Sequence, residues 1–227
     1  MKKELIGKVS GNILGMMADL CHKLQHGART PEELETFLKG ENPFTTETII
    51  ISWQRFFKKY FNIKINLSNL KIPLKQEGFD RLLIVPKGFT SNQVFEVCKK
   101  HFSCEKYGID LDKETEGKNE RETKETYAIW VRDRIEADEE LNNISAEIIK
   151  KREINTETLL EREIHELKFF DERSKHLDLK NITLCVGSRR SNGLAPCVRW
   201  YNGRLWVYWY RPQDANSVIR ARAVVSF

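Results

Sequence analysis

Pro196-Cys197-Val198-Arg199-Trp200-Tyr201, then Asn202-Gly203, then Arg204-Leu205-Trp206-Val207-Tyr208-Trp209-Tyr210, is the stretch on which the reading of this chain turns. Asn-Gly between two alternating runs predicts a β-hairpin, because a two-residue type I′ turn needs positive φ at both central positions. Side chains along a strand alternate between faces. Val198, Trp200, Leu205, Val207 and Trp209 therefore share one apolar face, and Cys197, Arg199, Tyr201, Trp206, Tyr208 and Tyr210 point the other way. The first face is a core. The second is too aromatic for ordinary solvent exposure, which leaves two readings: a binding surface, or a sheet buried on both sides.

The hairpin sits in a segment of unusual composition. From Asn181 to Phe227 there are seven arginines, no lysine and one acid, Asp214, a net charge of +6 against +5 for all 227 residues. Three of the five tryptophans and three of the six tyrosines also lie here. Flat aromatics and forked guanidiniums give much contact area at low entropic cost, so recognition surfaces are rich in them.

The rest of the chain bounds the answer. Its length allows one large domain or two small ones. No apolar run is long enough to span a membrane, and no uninterrupted signal-peptide core follows Met1-Lys2-Lys3-Glu4, so a cytoplasmic protein with no membrane partner is expected. Five scattered cysteines, Cys21, Cys98, Cys104, Cys185 and Cys197, suit free thiols in a reducing compartment.

Helix is expected from about Lys3 to Lys39, with Thr30-Pro31-Glu32-Glu33 as a helix start and Gly40-Glu41-Asn42-Pro43 as a break. A further helix opens at Thr45 or Thr46 and carries Trp53, Phe56, Phe57 and Tyr60 on one stripe. Phe79 to Val85 reads as a strand, and Thr90 caps a helix running to His101. Glu105 to Thr126 is charge-dense and reads as a loop with disorder. Tyr127 to Val131 is a strand, Ile135 to Asn142 a short acidic helix, and Asn155 or Thr156 caps a helix with an apolar stripe through Leu159, Ile164, Leu167 and Phe170. Strands and helices mix without a βαβ rhythm, so the fold class is α+β. We place a helical N-terminal region at 1–75, as a tether, docking or oligomerisation element, and a second domain at 76–227.

No catalytic constellation stands out. His22 and His26 have helical i, i+4 spacing but no third metal ligand beside them. Cys98, His101 and Cys104 form a loose cluster in which Cys98 falls on the apolar face, so packing explains it. The acids Asp133, Glu136, Asp138, Glu139 and Glu140 read as a solvated face near a helix start. Gly187-Ser188-Arg189 lacks the second glycine of a nucleophile elbow. Neither metal nor cofactor is expected, and no enzymatic activity. Arg189, Arg190, Arg199, Arg204 and Arg211 beside Tyr and Trp could grip single-stranded nucleic acid, although charge-driven binders usually mix in lysine.

The tail also carries a resemblance. Leu184-Cys185-Val186-Gly187-Ser188-Arg189, Pro196, Val198, Trp200, Trp209, Pro212 and Ile219-Arg220-Ala221-Arg222-Ala223-Val224-Val225-Ser226 resemble the variable proteins of diversity-generating retroelements. Tyr127 to Arg134 and Leu159 to Asp178 are similar to blocks in uncharacterised relatives with such tails, so the likeness spans about the last hundred residues. It implies a C-type-lectin-like fold related to formylglycine-generating enzymes, helices and mixed strands ending in a hairpin, over 76–227. It implies that a retroelement rewrites template adenines over about 184–227, leaving framework codons intact. The implied framework is Gly187, Ser188, Pro196, Val198, Trp200, Leu205, Val207, Trp209, Pro212 and Arg220. The implied ligand-facing positions are Arg190, Asn192, Cys197, Arg199, Tyr201, Trp206, Tyr208, Tyr210, Arg211 and Asn216. The partner is then a protein or other macromolecule, nucleic acid being the alternative. Two departures stand: Arg189 occupies a place where formylglycine-type relatives often have Trp, and the Trp206 codon cannot come from an Asn-type codon by changing adenines alone. No cysteine pair matches the formylglycine-generating chemistry.

Overall fold

Asn202 and Gly203 take φ values of 49° and 73°, the left-handed pair that a type I′ turn demands. They join β5 (Ala195–Tyr201) to β6 (Arg204–Tyr210), with Val198 opposite Val207, Arg199 opposite Trp206 and Trp200 opposite Leu205. The computed structural model describes residues 11–26, 29–38 and 46–227. Around the hairpin lies a mixed five-stranded sheet. On one side β2 (Cys104–Lys106) runs parallel to β6; on the other β4 (Ile182–Leu184) is antiparallel to β5, and β7 (Ile219–Arg220) is parallel to β4. A separate antiparallel pair joins β1 (Arg81–Val85) to β3 (Tyr127–Val131). The architecture is α+β, with helices toward the N-terminus and the mixed sheet toward the C-terminus.

The chain divides into two units, 1–51 and 52–227. In the first, α1 spans Gly11–Gln25 and α2 spans Pro31–Leu38. The expected start of α2 holds: Thr30 Oγ1 accepts from Glu33 N at 3.2 Å while Glu33 Oε2 accepts from Thr30 N at 3.0 Å, a reciprocal capping box. The expected helix over residues 3–10 and the break at Gly40-Glu41-Asn42-Pro43 lie outside the described residues. α3 (Thr46–Phe61) crosses from one unit to the next. Residues 52–75, which we placed in the N-terminal region, pack within the second unit. Trp53, Phe56, Phe57 and Leu67 are buried in the second unit, Trp53 Nε1 donates to Leu82 O, and Trp130 Nε1 donates to Pro73 O. Among the described residues no helix is long and apolar enough to cross a membrane.

In the second unit, α4 (Ser91–His101) starts at Thr90, whose hydroxyl accepts from Gln93 N as its cap. Two expectations change. The charge-dense segment 105–126 is ordered: it contains β2 and α5 (Leu111–Glu114), and Arg121 makes a two-pronged contact with the buried Glu161. Charge here is used for pairing rather than solvation. The acidic stretch 135–142 forms only a 3₁₀ turn at Glu139–Leu141, since its acids are occupied elsewhere: Asp138 pairs Arg132, and Glu136 accepts from Lys180 N and Asn181 N. A helix not anticipated, α6 (Ala146–Lys151), follows with Ser145 as its cap.

α7 (Leu159–Arg173) forms the spine. Its cap is Thr158, not Asn155 or Thr156, and Thr158 with Glu161 makes a complete capping box. The apolar stripe is present, but the polar side is buried too: Glu161, Arg162, His165, Glu166 and Lys168 are at most 1% exposed. Such burial is tolerable only with partners. Arg162 bonds Glu166 at 2.8 Å and Asp178 at 2.8 Å, and Asp178 also receives Arg222 Nη2 at 2.7 Å. Burial alone would raise the Asp178 carboxyl, yet Arg222 and Arg162 hold it below its ordinary value. The salt-linked group thus ties α7 to the chain's last residues.

Candidate ligand-binding face

The two faces of the hairpin meet different surroundings. Val198, Leu205 and Val207 are fully buried against Phe95, Leu111 and Leu159, with Trp200 and Trp209 at the margin. This is the expected core face. Trp200 lies on His176 at 3.3 Å between ring centroids, and Phe102 meets its edge. Gly187 and Ser188 lock the sheet to α7. A Cβ on Gly187 would lie 2.7 Å from Thr156 O, and Ser188 Oγ accepts from Leu159 N at 2.9 Å, serving an N–H at the helix start.

The opposite face changes along its length. At the base of the hairpin, Ala195 and Cys197 pack with Leu184, Leu141, Ala146 and Ile149, so the 3₁₀ turn and α6 cover this end. Tyr208 and Tyr210 are half-buried against that cover, their rings 5.6 Å apart. Toward the turn the cover thins: Arg199 and Trp206 are half-buried like the two tyrosines, and Tyr201 is 50% exposed. The Arg199 guanidinium stands 4.5 Å over the Tyr201 ring, and Trp206 Nε1 donates to Tyr201 O at 3.2 Å. One end of this face is therefore buried on both sides, and the other is open to solvent.

The ten positions expected to face a ligand do not form one patch. Arg199, Tyr201, Trp206, Tyr208 and Tyr210 share the face. Cys197 has to be withdrawn from it: strand parity put it on the right side, but α6 buries it completely, and burial pushes its thiol well above the ordinary range. Arg190 stands on the other side of the hairpin, 5.1 Å over Trp209 and paired with Glu114 at 3.1 Å. Asn192 and Asn216 are exposed, but their side chains turn back onto backbone: Asn192 Oδ1 accepts from Leu194 N, and Asn216 Oδ1 from Val218 N and Ile219 N. Arg211 is exposed and paired with Asp214 at 3.0 Å. Arg220 and Arg222 differ in their surroundings. Arg220 is half-buried and reaches Ala137 O, whereas Arg222 is 1% exposed and bonds Asp178, Thr183, Arg134 O and Ile135 O.

One aromatic on the face was missed. Tyr107 follows β2, is 62% exposed, and stacks on Trp206 with centroids 5.9 Å apart. Its neighbour Glu105 pairs Arg204 at 2.9 Å. Nothing local in the sequence signals this, because β2 meets β6 in parallel across about a hundred residues.

The candidate chemical groups take structural places. His22 and His26 stack at 4.1 Å on exposed helix surface, and among the described residues no three His, Cys, Asp or Glu side chains gather as a metal site. Burial pushes the Cys98 and Cys185 thiols well up and that of Cys104 to about 12. A cavity of about 290 Å³ opens at the start of α7 beside Thr90, Ser91, Asp112, Asn119, Arg121 and Thr158, and none of the ten positions lines it. Comparison of the chain with models of known families, with curated proteins and with solved structures finds no match.

Proposed function

We propose that the chain is a non-catalytic ligand-binding protein, in which a C-type-lectin-like unit displays an aromatic–arginine surface diversified by a retroelement. One observation carries the reading: exposure rises along a single sheet face, from fully buried Ala195 and Cys197 to half-exposed Tyr201, over a core that the same strands keep closed. Side chains at the open end can be exchanged at little cost to stability, since they fill no core space. Bulky, stiff rings left in water there have the character of contact residues. The tethering of Gly187 and Ser188 to α7 fits a constant framework around them.

The nucleic-acid alternative has support from the Arg199–Tyr201 pair, which suits phosphate beside a stacked base. Against it, four of the seven tail arginines, Arg190, Arg204, Arg211 and Arg222, already face carboxylates, which reduces the charge available for phosphates. The deciding experiment is sequencing around the gene. The expected result is a near-copy of the DNA for 184–227, differing only at adenines, beside a reverse-transcriptase gene. Its absence removes the diversification reading.

A further inference from the structure

Tyr107 lies outside the segment proposed to vary, yet it shares that segment's surface. β2 places Glu105 opposite Trp206, so the residue after Lys106 emerges on the side of Arg199 and Trp206. Its backbone is pinned: Tyr107 N donates to Val207 O at 2.9 Å, and Tyr107 O accepts from Trp209 Nε1 at 2.7 Å. A large ring held by its backbone and left mostly in solvent loses little further freedom when a partner covers it. Tyr107, Trp206 and Tyr201 form a linked patch, through the ring stack and the indole hydrogen bond.

Charge on this patch is uneven. Arg204 is satisfied by Glu105. Arg199 has no carboxylate partner among the described residues, and its Nε is buried without a hydrogen bond. A guanidinium stacked over an aromatic ring can supply one half of a forked ion pair. We infer that the binding face includes Tyr107 as a constant aromatic contact and takes a protein surface presenting a carboxylate among apolar groups. The carboxylate meets Arg199, and the apolar groups meet Tyr107 and Trp206. This rests on the ligand-binding reading and adds to it an anchor common to every rewritten tail, together with the chemistry of the partner. A nucleic-acid strand fits less well, because it brings a phosphate at each nucleotide to a face with one uncompensated guanidinium.

The test selects a random peptide library, displayed on phage, against the full chain. Enriched peptides are expected to carry Asp or Glu flanked by apolar residues. Their Kd should rise at least about ten-fold on Tyr107→Ala and on Arg199→Gln, while Tyr107→Phe, which keeps the ring, binds as the parent does. Changing the peptide acid to its amide should cost as much, and should add nothing once Arg199 is Gln. Melting curves separate lost binding from lost folding; if Tyr107→Ala unfolds, Tyr107→Leu replaces it. Peptides that depend on Tyr201 and Trp206 but ignore Tyr107 and Arg199 overturn the inference and leave the binding face standing. Peptides indifferent to all four residues, or no enrichment, overturn both. Salt-steep binding of an oligothymidine strand at these residues, with no acidic peptide enriched, assigns the face to nucleic acid and overturns it as well.

Discussion

The base and the tip of the β5–β6 hairpin are built from the same alternation, but only the tip stays open. At the base, Cys197 and Ala195 lie beneath α6 and the 3₁₀ turn; at the tip, Arg199, Tyr201 and Trp206 keep access to solvent. Strand parity decides which side a residue takes. It does not decide whether another element lies over it. The pair of regions therefore separates side chains covered by another element from side chains left open to solvent.

The largest expected break in this comparison is far below the tip. Arg222→Gln removes one of the two buried arginines that pair with Asp178 and should cost about 3–5 kcal/mol in urea unfolding, whereas Arg220→Ala should cost far less. Equal losses would undo the reading of Arg222 as the arginine that anchors the C-terminal end. Gly187→Ala forces a Cβ to within 2.7 Å of Thr156 O and should cost about 1–3 kcal/mol by the same measurement.

A pH series sharpens the picture of the interior. Burial pushes Glu157 up to about 8 from 4.5, and it bonds His165 Nδ1 at 2.8 Å. A raised carboxyl pKa means that the folded state keeps a proton the unfolded chain releases. Stability from this group is full below pH 4.5 and falls as pH rises toward about 8, by up to about 1.4 kcal/mol per pH unit. Glu157→Gln should remove that slope, read as the difference in unfolding free energy between the two proteins from pH 5 to 8. A pH-independent difference would show that Glu157 is ionised in the fold.

The comparison predicts its own smallest effect. Tyr208→Ala at the covered base should cost about 1–2 kcal/mol, because half-buried ring area returns to water. Tyr201→Ala at the tip should stay within about 0.5 kcal/mol of the parent. Similar thermal shifts for the two would erase the distinction between base and tip.

Much of the local structure was legible. Asn202-Gly203 announced its turn because few residues accept positive φ twice, and Thr30 and Thr90 announced helix starts because a hydroxyl can satisfy an otherwise unpaired N–H. The apolar face of the hairpin followed from period two alone. Legibility failed wherever the deciding partner is distant. The burial of the polar side of α7 left no trace in its own sequence because its partners, Asp178 and Arg121, are spread across the chain. Tyr107 looked like loop because a three-residue parallel strand leaves no local signature. Arg220 and Arg222, two residues apart, are indistinguishable in sequence until one of them meets Asp178.

The amino-acid order by itself settled the hairpin, its register, its core face, the α+β class and the starts of α2 and α4, since these depend on φ preferences and periodicity within a few residues. Tertiary structure alone decided that α6 covers Cys197 and stops short of Tyr201, that residues 52–75 join the second unit, and that Arg222 anchors the C-terminal end. Burial and ion pairing act between groups far apart in the chain, and their outcome depends on which surfaces meet.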